Sequence, residues 1–164
     1  LLGRGIGMEV IAWSARGDAE RARAAGVPPT TKEEILKTAD VVSLHLRLTA
    51  ETTGFLSHRE LSLMKPTAIL INTARAALVD RDSLLDTLSQ GRILGAGLDV
   101  FHREPPDPDD PILAIPNVVL TPHNAGQTPE VIRDGLLRAV ENIELFFRGA
   151  PRDVVSIPPS QPDD

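Results

Sequence analysis

The chain has 164 residues, no cysteine and a formal net charge of −6. That length suits one domain with a real core, and the lack of cysteine excludes a disulfide framework and thiolate chemistry. The acidic balance disfavours nonspecific nucleic-acid binding, and no apolar run approaches a membrane span, so the expectation is a cytoplasmic protein with neither nucleic acid nor membrane as partner.

The opening stretch, LLGRGIGMEVIAWS, carries Gly3, Gly5 and Gly7 ahead of an apolar run. It fails the G-x-G-x-x-G spacing, because Met8 or Val10 stands where the third glycine belongs. It reads instead as a helix C-terminus stopped by glycine, entering a strand at MEVIAW (8–13). DAERARAAG (18–26) reads as a short helix closed by Gly26, and Val27 begins an edge strand broken by Pro28 and Pro29. Thr31 and Glu34 form a capping box for the helix KEEILKTA. DVVSLHL (40–46) is nearly continuous apolar, as in a buried parallel strand. A short helix around HRELSLM leads to a second such strand, TAILINT (67–73). Asp80 caps the helix RDSLLDTLSQ and Gly91 ends it. ILGAGLDV (93–100) and NVVLTP (117–122) are further strands. Thr128 and Pro129 open the last helix, in which Ile132, Leu136, Val140, Ile143 and Phe147 predict a buried stripe. Gly149 and Pro151 stop it, and the tail DVVSIPPSQPDD is expected to be extended or disordered.

Strands alternating with helices predict an α/β fold, a Rossmann-type doubly wound parallel sheet covered on both faces. Ligands of such sheets bind beyond the carboxyl ends of the strands. The segments there are Ser14-Ala15-Arg16, Arg47-Leu48-Thr49, Thr73-Ala74-Arg75, Phe101 to Glu104, and His123-Asn124. His123, behind the rigid Pro122, suits a proton donor at neutral pH. Glu104, ahead of Pro105 and Pro106, suits orienting an imidazole, and the planar fork of Arg75 suits a carboxylate. Together these three are able to hold an α-keto acid and protonate its carbonyl, and a hydride source would complete a dehydrogenase. Each taken alone also fits a solvated loop residue, Asp99 a plain strand end, and Ser14 with Arg16 the start of a helix. No metal ligands are expected.

The stretches GIGMEVIAW, ADVVSLHLRLTAETTGFL, LMKPTAILINTARAALVD, GAGLDVFHREPP and NVVLTPHNAGQT run in one order over nearly all of residues 1–150. In that order they resemble the nucleotide-binding domain of the D-isomer-specific 2-hydroxyacid dehydrogenases. The resemblance implies that residues 1–150 form a partial dinucleotide-binding domain and that 151–164 are an extended tail. It implies NAD or NADP as cofactor, a small 2-keto or 2-hydroxy acid as substrate, and a homodimer. It gives Arg75 the substrate carboxylate, His123 the general acid/base role, and Glu104 the hydrogen bond to that histidine. Asp99 falls near the nicotinamide carboxamide, and Thr73, Ala74 and Gly126 line the cofactor.

Several positions depart from the family pattern. Ala76 follows the arginine where glycine is usual, which is tolerated unless the backbone there needs positive φ. Arg47 replaces a common proline, and Ser14 replaces the acidic residue expected at the end of the second strand. A carboxylate there binds the ribose hydroxyls of NAD, whereas NADP sites favour an arginine. Ser14, Arg16 and Arg47 are therefore expected around a 2′-phosphate, with NADP tolerated or preferred. The family's glycine fingerprint and first strand are expected just ahead of Leu1, so the 164 residues by themselves are expected to be inactive on glyoxylate or hydroxypyruvate. A competing reading is a corepressor-like protein that senses nicotinamide dinucleotides. A third is another Rossmann-type enzyme, such as a methyltransferase.

Overall fold

The computed structural model describes residues 2–14 and 19–154, so Arg16 and the end of the tail lie outside the described residues. The chain divides into two compact units, Leu1–His123 and Asn124–Asp164.

The first unit is built on four strands: β1 (Val41–Leu44), β2 (Ile69–Asn72), β3 (Gly95–Leu98) and β4 (Val118–Leu120). All pair in parallel, in sequence order. The register aligns Leu44 with Asn72, Asn72 with Leu98, and Leu98 with Leu120. One row of residues thus ends every strand, and the segments that follow leave from one edge.

Helices α1 (Leu2–Gly5), α2 (Ala19–Ala24), α3 (Lys32–Thr38), α4 (His58–Leu61) and α5 (Arg81–Ser89) complete this unit, with 3-10 turns at Ala76–Leu78 and Pro111–Ala114. Leu36 of α3, Leu61 of α4, and Leu84 and Leu88 of α5 share one core with Val42, Leu44, Leu70, Ala96 and Leu98 of the sheet. That is the burial expected of near-continuous apolar strands. It holds on one face only. On the other, Val41 and Ser43 are exposed, and Ile69, Ile71 and Gly97 are half-buried. Exposed and buried residues alternate along β1, as in a strand with one packed side.

The local signals act as expected in several places. Gly7 leaves α1 with φ 85°. Thr31 accepts from the Glu34 amide at 3.1 Å, and Asp80 from the Ser83 amide at 2.9 Å. Gly91 ends α5 with φ 62°. Gly95 is needed for a different reason: a Cβ there would run into the carbonyl oxygen of Asn117 on the neighbouring chain segment. MEVIAW does not form a ladder. Among the described residues its one pairing is an isolated parallel bridge from Ala12 to Pro29, because the segment opposite offers two prolines and few free amides.

The second unit is α6 (Pro129–Phe147) with its flanks. Thr128 caps it, accepting from the Val131 amide at 3.3 Å. The stripe at Ile132, Leu136, Val140, Ile143 and Phe147 is not buried; these side chains are 54% to 83% exposed. The spacing defines an apolar face correctly, but among the described residues the unit holds no second element to cover it. Arg152 donates its amide to Asn142 Oδ1 at 2.8 Å and pairs with Glu141 at 3.2 Å, folding the chain back along α6. Among the described residues no helix is long and apolar enough to cross a membrane.

Candidate active site

The segments that leave the carboxyl ends of the four strands carry Arg47, Thr73, Ala74, Arg75, Asp99, Glu104 and His123. His123 closes a three-residue turn, its amide donating to the Thr121 carbonyl at 3.0 Å around Pro122. Its φ is 52°, in the left-handed region. Its Nδ1–H donates to Glu104 Oε2 at 2.7 Å, across nineteen residues of sequence. The other oxygen of Glu104 accepts the Phe101 amide at 2.9 Å. That amide first, then His123 and the nearby charge of Arg75, hold the Glu104 carboxyl below the ordinary glutamate value. The carboxylate is thus spoken for on both oxygens, and the imidazole it orients is 44% exposed at the edge.

Arg75 follows β2 and is exposed, with its Nη1 donating to the Ala74 carbonyl at 2.6 Å. Ala76 is buried and opens the 3-10 turn, outside the positive-φ residues, so its methyl costs the backbone nothing. Asp99 follows β3, is 2% exposed, and accepts from the Thr121 hydroxyl at 2.5 Å. Arg47, Thr73, Ala74 and Arg75 line one open groove of about 590 Å³ together with His45, Leu46 and Leu48. A second cavity, about 30 Å³ among Asn72, Arg81, His102 and Asp110, has room for a water and nothing larger. Ser14 is exposed and follows Trp13, whose ring stacks on Phe55 with centroids 5.1 Å apart. Gly126 lies in the second unit, with open space where a Cβ would project. Among the described residues no cluster of His, Asp and Glu is arranged to hold a metal ion.

Three positions escaped the sequence reading. His45, read as interior to a strand, lies just past β1, exposed on the groove. Asn72 and Thr121 fell within the expected strands 67–73 and 117–122 and were given no role. Asn72 is buried and bonds the segment carrying Arg75, and Thr121 bonds Asp99. A polar residue closing an apolar run was the available signal.

The sequence pattern of the family described as "D-isomer specific 2-hydroxyacid dehydrogenase, NAD binding domain" matches residues 2–125. The chain belongs to that family. Among individual relatives of this NAD-binding domain, the glyoxylate reductase of Aeropyrum pernix is 40% identical over 148 residues, covering 90% of this chain and 44% of the relative. An acyclic imino acid reductase solved with NADPH and D-Arg superposes with a TM-score of 0.86 at 35% identity, covering 94% of this chain and 48% of that one. The NAD-complexed D-isomer specific 2-hydroxyacid dehydrogenase of Lactobacillus delbrueckii ssp. bulgaricus gives a TM-score of 0.82 at 32% identity, covering 94% and 50%. The chain thus spans about half the length of the relatives it matches. The groove fits the domain's cofactor class. Its volume lies in the range of small-molecule sites, and its lining mixes apolar walls with two arginines suited to phosphate and carboxylate oxygens.

Proposed function

We propose that this NAD-binding domain supplies the cofactor groove and the acid/base residue of a reductase that interconverts 2-keto acids and D-2-hydroxy acids. The observation that carries the reading is the 2.7 Å bond from His123 to Glu104, with Arg75 near enough for its charge to act on the same carboxylate. The similarity to glyoxylate reductases makes glyoxylate and hydroxypyruvate the first substrates to test. When bound, the dinucleotide supplies a hydride for the carbonyl carbon.

The remaining work falls to side chains of this domain. Glu104 accepts the Nδ1–H of His123 and thereby leaves Nε2 as the nitrogen that exchanges a proton with the substrate oxygen. Nε2 gives that proton during reduction and takes it back during oxidation. Arg75 binds the substrate carboxylate and stabilises the negative charge that develops on the carbonyl oxygen. Thr73 and Ala74 line the dinucleotide through their backbone, and Asp99 serves its carboxamide. Ser14 and Arg47, with Arg16, are the residues assigned to a ribose 2′-phosphate, so NADPH is tolerated or preferred.

The test is kinetic. In the complete protein, His123→Asn is expected to lower kcat on glyoxylate or hydroxypyruvate by about 10²- to 10⁴-fold while leaving the Kd for NADPH within about twofold. An unchanged kcat overturns the assignment. A wild-type kcat/KM strongly favouring NADH overturns the cofactor assignment. Binding of protein partners controlled by the dinucleotide, without turnover of any keto acid, would favour the corepressor-like reading.

A further inference from the structure

We infer that Asn72 is a positioning residue that sets Arg75 in register with the cofactor side of the site; this rests on the reading of Arg75 as the carboxylate ligand. Asn72 is the last residue of β2 and is 2% exposed. Its register partners are Leu44 on one side and Leu98 on the other, so its backbone is fixed between two neighbouring strands. A buried amide side chain must find partners for both its ends. Here both partners lie in the segment that carries the arginine. Oδ1 accepts the Ala74 amide at 3.1 Å, and Nδ2 donates to the Arg75 carbonyl at 3.0 Å.

The two bonds fold Thr73, Ala74 and Arg75 into a turn closed on the strand end. An Asn side chain bonded to the amide two residues on is the usual way such a turn is fixed. The Ala74 carbonyl, turned outward by that fold, accepts Nη1 of Arg75 at 2.6 Å and so restricts the guanidinium as well. Asn72 also acts in the other direction. Its own carbonyl accepts the amide of Asp99 at 3.0 Å. One side chain and one carbonyl of the same residue therefore index the candidate carboxylate ligand against the buried aspartate of the next strand. A leucine at this position would satisfy the apolar pattern of β2 and lose the turn.

The experiment compares Asn72→Ala, Asn72→Ser, Arg75→Ala and the double variant in the complete protein. Two binding constants are measured by calorimetry, for NADPH and for oxalate, an unreactive dicarboxylate, added to the NADPH complex. KM and kcat for glyoxylate are measured alongside. Asn72→Ala is expected to weaken oxalate and raise KM about tenfold, the equivalent of one well-placed hydrogen bond, with NADPH affinity within about twofold. Asn72→Ser, whose hydroxyl is still able to accept the Ala74 amide, falls between. In the Arg75→Ala background the Asn72 change adds nothing further, because its effect passes through the arginine. Additive losses in the double variant, or equal losses of NADPH and oxalate, overturn the inference and leave Asn72 a merely structural residue. If Asn72→Ala does not fold, Asn72→Ser carries the same comparison. If Arg75→Ala itself leaves oxalate binding and KM unchanged, the reading of Arg75 as carboxylate ligand fails first, and this inference falls with it.

Discussion

Glu60 offers a quantitative check on the electrostatics of this fold. It stands three residues into the capping box of α4, where it accepts the Ser57 amide at 3.1 Å and the Ser57 hydroxyl at 2.5 Å. Its other oxygen accepts from Lys32 of α3 at 3.1 Å, and its side chain is only 13% exposed. Burial alone would raise its pKa. The hydrogen bonds from the Ser57 hydroxyl, Lys32 and the Ser57 amide, with the charge of Lys32, outweigh this and lower it from 4.5 to about 2. A carboxyl lowered that far in the folded state stabilises it above the unfolded value, by about 3 kcal/mol, and loses this as pH falls from about 4.5 towards about 2. Glu60→Gln keeps the shape and an acceptor for Ser57 but removes the charge. It is expected to cost about 2–3 kcal/mol at pH 7, lowering Tm by about 4–12 °C in a chain of this size. Urea melts of both proteins followed by circular dichroism, from pH 7 down to pH 2.5, measure the gap. The gap should stay constant from pH 7 to about pH 5 and close below that. A gap under about 1 kcal/mol at pH 7, or one equally large at both ends of the pH range, refutes the reasoning.

The Glu104 carboxyl should titrate below the ordinary 4.5, so its bond to His123 survives acid that half-protonates a free glutamate. Carbon-13 NMR of the labelled protein reads that midpoint directly, and a value at or above 4.5 contradicts the geometry. Gly95→Ala forces a methyl against a backbone carbonyl and is expected to cost about 3 kcal/mol, seen as a Tm lower by about 6–12 °C. Leu88→Ala, in the core, should cost about 2–5 kcal/mol, whereas Ile143→Ala, on the open face of α6, should stay within about 0.5 kcal/mol in the same chain. Similar losses from both would mean that the α6 face is covered.

The sequence carried the parallel strands well because each is a short apolar run whose burial depends little on the partner's identity. It carried helix starts well too, since Thr31, Asp80 and Thr128 each act on an amide three residues away. What it misjudged depends on distant pairing. MEVIAW has strand composition, but a ladder needs a neighbour, and the one it meets is rich in proline. The α6 stripe has the periodicity of burial without an element in its unit to receive it. At the site, Arg75, Glu104 and His123 were legible because strand ends are where loops can carry chemistry. Residues 104 and 123 could be grouped from their places at two strand ends, whereas no local pattern links positions nineteen apart, and the specific bond between them came through family resemblance. Asn72 was missed because a polar residue ending an apolar run looks the same whether it faces solvent or ties down a turn.

The left-handed backbone at His123 also decides which replacements there can be interpreted. Asparagine enters that conformation readily, so exchanging histidine for it removes the imidazole and leaves the chain path alone. A β-branched residue would add backbone strain of about 1–3 kcal/mol to the loss of chemistry, and the two would be read as one. The position therefore constrains a conformation as well as a proton carrier, and glycine, asparagine and aspartate are the residues besides histidine that meet the first most readily.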